Sequence, residues 1–110
     1  VIGAAEIDAR CKIGARFRLP HGGNGIVIHP SSTIGEDVTM YHQVTLRTNP
    51  IDPDYGPPAV GSRVFIGTGA KLIGKIVIGD DTRIGANAVV LCDVPPKSTA
   101  VGVPASIFRC

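Results

Sequence analysis

The sequence predicts an all-β solenoid, a parallel β-helix of short strands forming a single domain over residues 1–110. Three observations carry that reading. Aliphatic residues recur every six positions: Val1, Ile7, Ile13 and Leu19, then Ile28, Ile34, Met40 and Leu46, then Val60, Ile66, Leu72, Ile78, Ile84 and Val90. Four places on, the residue is usually small or β-branched, as at Ala5, Ser32, Val38, Val44, Val64, Ala70, Thr82, Ala88 and Val94, with Phe17 the bulky exception. The position directly after the aliphatic residue is often glycine (Gly14, Gly35, Gly61, Gly67, Gly79, Gly85). A beat of six fits neither a helix nor an alternating two-sided strand. It fits a coil of three short strands, each coil stacked on the next at about 4.8 Å. The aliphatic residue and its partner four places on then point inward, and the glycine-bearing positions are expected to turn the corners.

The elements follow in order. The first four hexads run to Leu19, where 20–25 (Pro-His-Gly-Gly-Asn-Gly) adds three residues to the beat. The next four end at Leu46, and an insertion over 47–59 adds eight more before the beat resumes at Val60. Loops inserted into a repeat that does not need them are usually functional. The six hexads from Val60 end near Pro95, and 96–110 reads as a terminal turn and a short tail.

Composition narrows the function classes. Hydrophobic residues are 44% and charged residues 18%, which excludes a disordered segment. A formal net charge of +2 is too balanced to argue for nucleic acid. No apolar run approaches the ~20 residues of a membrane helix. Cys11, Cys92 and Cys110 have no disulfide or CxxC pattern. With no signal-peptide profile, the expectation is a reduced, cytoplasmic protein, and a start at Val1 is compatible with a longer chain upstream.

Three hexads per coil place each residue above the one three hexads earlier. Two residues beyond Val1, Leu19, Met40, Ile66 and Ile84, this stacking gives one column: Gly3, His21, His42, Thr68 and Ala86. His29 falls on a different side, which leaves two imidazoles where a metal needs more ligands, so no metal site is expected. An imidazole, with an ordinary pKa of about 6.5, is suited to taking a proton from a hydroxyl at neutral pH. Of the two, His21 is the stronger candidate because its glycine-rich bend needs no imidazole for packing. Thr68 and Ala86 would leave a smooth edge about 14 Å long below it, comparable to an extended pantetheine arm.

Several stretches now point to one family. Glu6-Ile7-Asp8-Ala9-Arg10-Cys11-Lys12-Ile13-Gly14 leads to Leu19-Pro20-His21, followed by Gly25-Ile26-Val27-Ile28-His29-Pro30. Further on stand Ile66-Gly67-Thr68-Gly69-Ala70-Lys71 and Val101-Gly102-Val103-Pro104-Ala105. Together they resemble the catalytic domain of serine O-acetyltransferases over nearly the whole chain. The resemblance implies a left-handed crossover, against the usual hand, and a homotrimer that binds acetyl-CoA between subunits. It implies that His21 is the general base and that Glu6 holds its ring, where the cysteine-pathway enzymes have Asp. It also implies that Thr68 and Ala86 touch the pantetheine, that Arg109 lies near a CoA phosphate, and that Gly74, Gly102 and Pro104 line the CoA. No metal is implied.

Departures bear on the acceptor. Pro20 stands where the cysteine-pathway enzymes have Asp before the catalytic histidine, and the 47–59 loop lacks their Arg-His pair. Arg47 is left as the nearby cation that could meet a carboxylate, with His42 beside the acceptor. The short form resembles members found among surface-polysaccharide genes, so the acceptor is a serine or a sugar hydroxyl. Two other readings are a non-catalytic trimeric scaffold and a metal hydratase of the same fold.

Overall fold

A computed structural model describes residues 6–8, 10–51 and 56–109, with backbone alone at Glu6 and Arg109. The chain winds into a three-sided prism. The first face holds β1 (Glu6–Ile7), β3 (Val27–Ile28), β6 (Thr45–Arg47), β9 (Lys71–Ile73) and β12 (Val89–Val90), stacked in that order. The second holds β2 (Lys12–Ile13), β4 (Thr33–Ile34), β7 (Ala59–Val60) and β10 (Val77–Ile78). The third holds β5 (Thr39–Met40), β8 (Phe65–Ile66), β11 (Arg83–Ile84), β13 (Ser98–Val101) and β14 (Ser106–Arg109). Among the described residues every pairing between coils is parallel, and only β13 with β14 is antiparallel. This is the left-handed parallel β-helix that the repeat and the resemblance together predict.

Strands of two to four residues cannot stand alone. Their stability comes from the rungs above and below and from the core. The register keeps aliphatic residues in line, as in Ile28 against Leu46, Leu46 against Leu72, and Met40 against Ile66. Met40, Leu46, Ile66, Leu72, Ile78 and Ile84 are fully buried, as are the inward partners Val38, Val44, Ala70 and Ala88. Ile76, which also lies four places after an aliphatic residue, is buried too, though not completely. Two polar partners find backbone acceptors, Thr82 Oγ1 donating to Gly79 O (3.1 Å) and Ser98 Oγ to Pro96 O (3.3 Å), whereas the buried Ser32 Oγ has no hydrogen-bond partner. Cys11 is half-buried; its thiol donates to His29 O (3.3 Å), and burial pushes its pKa up.

Two sequence expectations are corrected. The glycines after the aliphatic residues do not supply the left-handed turns. Those turns fall two residues later, at Arg16, Asp37, Arg63 and Asp81 on one corner and at Gln43, Gly69 and Asn87 on another, with φ of 56–75°. The repeated glycines serve close stacking instead. A Cβ on Gly35 would lie 2.7 Å from the Gly61 backbone, and one on Gly67 would lie 2.7 Å from Ala86 N.

The second correction concerns 96–110, which is not a loose tail. After Val90 the corner is two residues short, so Val94 pairs with Ile78 and Ala100 with Ile84. The beat of six would have put Pro96 and Gly102 there, and the slip hides the last coil from a six-residue count. β13 completes the third face with Ala100 fully buried, and β14 folds back along it.

Candidate active site

The turn at 20–25 is built for left-handed backbone, with Gly22, Gly23 and Gly25 at φ of 68°, 79° and 69°. Gly22 N donates to Leu19 O (2.9 Å) and Ile26 N to Gly23 O (3.1 Å), closing the bend around its exposed histidine. β-Carbons at these angles would be strained, so the run of glycines makes this bend cheap to hold. The register carries the column onward. Arg18 bridges to Thr39, Met40 pairs with Ile66, and Ile66 with Ile84. His21, His42, Thr68 and Ala86 therefore lie on successive rungs of the corner between the third and first faces.

The two imidazoles meet directly, with ring centroids 4.7 Å apart and planes at 64°. His42 is half-buried and its Nδ1 is buried without a partner. The corner below is closed by backbone bonds, Gly69 N to His42 O (3.0 Å) and Asn87 N to Thr68 O (2.8 Å). Gly102 continues the same column one rung below Ala86, because Ala100 pairs with Ile84. Its carbonyl accepts from Val89 N (3.0 Å), tying the β13–β14 turn, with exposed Pro104 in it, to the first face.

Other predicted site residues stand elsewhere. Arg47 ends β6, at the far side of the first face from His42, and its Nε donates to Thr48 O (3.3 Å). Gly74 belongs to that distant corner too: its N–H bonds Arg47 O (2.9 Å) and its α-carbon faces Asn49. Within one chain neither reaches His21. Glu6 sits in β1 opposite Val27, while its carboxylate, the Arg109 guanidinium, Gly3 and Cys110 lie outside the described atoms. His29 fixes its own turn, its Nδ1 accepting from Ser31 N (3.0 Å).

Two features escaped the sequence reading. Lys71 Nζ donates to Gly69 O (2.6 Å) and Gln43 O (3.3 Å), stapling two left-handed turns just under His42. Tyr41 packs its ring 5.6 Å from His21 and 5.2 Å from Phe65, so His21 stands at the end of an aromatic strip. The available signal was scarcity: five Tyr and Phe in the chain, one of them next to His42. A depression of about 660 Å³ opens farther round the third face beside Phe65, Arg83 and Thr99 and contains neither imidazole. The histidine corner is an open edge, as a site completed from outside the chain would be.

Comparison with known proteins places this geometry. Residues 57–92 match the bacterial transferase hexapeptide family model, described as six repeats. A serine acetyltransferase of Mycobacterium tuberculosis is 45% identical over 98% of this chain and 47% of its own length. One from Helicobacter pylori is 50% identical over 91% of this chain and 58% of its own. Among solved structures, serine acetyltransferase from Brucella abortus in complex with coenzyme A superposes with a TM-score of 0.89. It is 31% identical and is matched over 96% of this chain and 43% of that one. Soybean serine acetyltransferase complexed with serine gives 0.87 at 38% identity, over 94% and 42%. The chain spans about half the length of the curated relatives it matches. It belongs to the hexapeptide-repeat transferase family and, within that family, resembles the serine acetyltransferases over nearly its whole length.

Proposed function

We propose that this chain transfers the acetyl group of acetyl-CoA to a hydroxyl, with His21 as general base and no covalent acyl-enzyme. His21 takes the hydroxyl proton as the oxygen bonds the thioester carbonyl carbon. The tetrahedral intermediate then expels the CoA thiolate, which recovers the proton from the imidazolium, leaving an O-acetyl ester and free CoA. Glu6 is the carboxylate that orients the ring, fixing its tautomer as the acid does in a catalytic triad. Thr68, Ala86 and Gly102 line the pantetheine path, and Gly74, Pro104 and Arg109 are the further CoA contacts. Arg47 belongs to the acceptor side, and His42 stands where the acceptor meets the thioester. A homotrimer, with the groove closed by the neighbouring subunit, would bring residues such as Arg47 and Gly74 of one copy toward the His21 corner of another.

One observation carries this reading: an exposed imidazole at the head of a column of small residues. The relatives' names and the neighbour bound to coenzyme A support it. For the acceptor, the soybean neighbour bound to serine favours serine, whereas Pro20 and the missing Arg-His pair favour a sugar hydroxyl. His21→Ala is expected to lower thiol release from acetyl-CoA about 10²- to 10⁴-fold. CoA binding by calorimetry and Tm should stay unchanged. Undiminished turnover would remove His21 from the mechanism, and failure of the parent protein to bind acetyl-CoA would favour the scaffold reading.

A further inference from the structure

We infer that His42 is a second catalytic residue whose Nε2–H donates a hydrogen bond to the thioester carbonyl oxygen as that oxygen becomes negative. This rests on the reading of His21 as base and gives the neighbouring ring a separate task. Its ground is a buried nitrogen. Nδ1 of His42 is buried and has no hydrogen-bond partner. Nε2, the other polar atom, is not buried and likewise meets no partner among the described residues. The ring thus keeps one nitrogen away from solvent and leaves the other accessible.

Chemistry then fixes the tautomer. A hydrogen on Nδ1 would be a buried donor with nothing to accept it, a desolvation cost of about 1–3 kcal/mol. A lone pair there is the cheaper arrangement, since orphaned buried N–H groups are the rarer kind. The hydrogen therefore sits on Nε2. In that form the basic nitrogen is the one substrate cannot reach, so His42 is unsuited to be a base and is ready to donate. His21, one rung above and exposed, is the ring free to accept a proton.

The placement is rigid and close enough. Tyr41 N donates to Ile66 O (3.0 Å), Gln43 N to Asn24 O (2.8 Å), and Gly69 N to His42 O (3.0 Å). These bonds clamp the backbone on both sides of His42 and tie it to the turn that carries His21. In the tetrahedral intermediate the attacking oxygen and the oxyanion share one carbon, so their partners must be neighbours. The 4.7 Å between ring centroids meets that requirement. The carbonyl π pair moves onto oxygen while the Nε2 hydrogen is shared and not transferred. When the carbonyl re-forms, the thiolate leaves with the proton held by His21. A donor fixed before the reaction needs no reorganisation as charge develops.

Two measurements test the inference. In the first, thiol release from acetyl-CoA is followed with L-serine, or with water as the only acceptor, for His42→Ala and His42→Gln. Alanine removes the donor and should lower kcat about 10²- to 10³-fold, with KM for acetyl-CoA nearly unchanged. Glutamine, whose amide N–H₂ reaches about as far as Nε2, should recover to within tenfold of the parent. A glutamine variant as slow as alanine would overturn the inference. In the second, long-range ¹H–¹⁵N spectra of the ligand-free protein report the ring nitrogens directly, whatever the acceptor and however the variants fold. Protonated Nε2 with bare Nδ1 is expected for His42, and a hydrogen on Nδ1 would contradict it. Retained turnover in His21→Ala would refute the base and leave this comparison standing.

Discussion

Two corners of the prism share a backbone and differ in almost everything else. Between the second and third faces, the left-handed positions are Arg16, Asp37, Arg63, Asp81 and Lys97, a ladder of alternating charge. Between the third and first faces the equivalent positions are Gln43, Gly69 and Asn87, and the residues before them are His42, Thr68 and Ala86. In both, the left-handed residues after Arg16 donate their N–H to the coil above, as Asp37 does to Ala15 O (2.9 Å) and Asn87 to Thr68 O (2.8 Å). The rung-to-rung bonds hold the turn whichever side chain is present. The sequence is then free to spend one corner on charge and to keep the other smooth.

The charged corner is self-satisfied. Arg16 Nε and Nη2 bond Asp37 at 2.7 and 2.9 Å, and Arg63 Nε bonds Asp81 at 2.8 Å. Those hydrogen bonds hold the pKa values of Asp37 and Asp81 below the ordinary carboxylate value of 3.8. The pairs are exposed and screened, so each contributes little to stability. The histidine corner shows the opposite: an exposed imidazole, an unpartnered buried nitrogen and an edge of small residues. One corner is finished within the chain, and the other is left open for something to arrive.

Breaking the open corner gives the largest effects. His21→Ala, described above, tests the chemistry. Ala86→Phe tests the path: Ala86 is exposed, so a ring there should leave Tm within a degree or two yet obstruct an arm lying on the edge. A clash of about 1–3 kcal/mol corresponds to CoA binding weakened roughly ten- to hundredfold. The matching change on the charged corner, Glu36→Phe, should leave CoA affinity unchanged. Equal losses from both would dissolve the contrast between the corners.

Much of this was legible beforehand because the period is set by the core. An inward residue every sixth place fixes both the coil and the column, so His21, His42, Thr68 and Ala86 could be aligned by counting. Counting failed where the beat slips, at the short corner after Val90 that disguised β13 and β14. It also misassigned the glycines, since a residue needed for rung-to-rung approach and one needed for positive φ look alike in a string of letters. The staple from Lys71 and the Tyr41 ring beside His21 depend on side-chain reach, which periodicity does not encode.

The smallest effect sharpens the charged side. Because Asp37 and Asp81 have folded pKa values below 3.8, they bind protons less readily folded than unfolded. Their contribution is present above pH 3.8 and is lost as pH falls through their lowered values. The double variant Asp37→Asn, Asp81→Asn should therefore show a shallower loss of Tm below pH 4 than the parent, with the two curves parallel at pH 6–8. An unchanged acid slope would mean the ladder is ornamental for stability.

The most direct test of the contrast is a titration of the ¹⁵N-labelled protein with CoA, followed at every backbone amide. The largest shifts should fall at Thr68, Gly69, Ala86, Asn87 and Gly102, with Asp37, Arg63 and Asp81 still. Shifts centred on the arginine–aspartate ladder, or none on either edge at saturating ligand, would contradict the assignment of the smooth corner to the thioester.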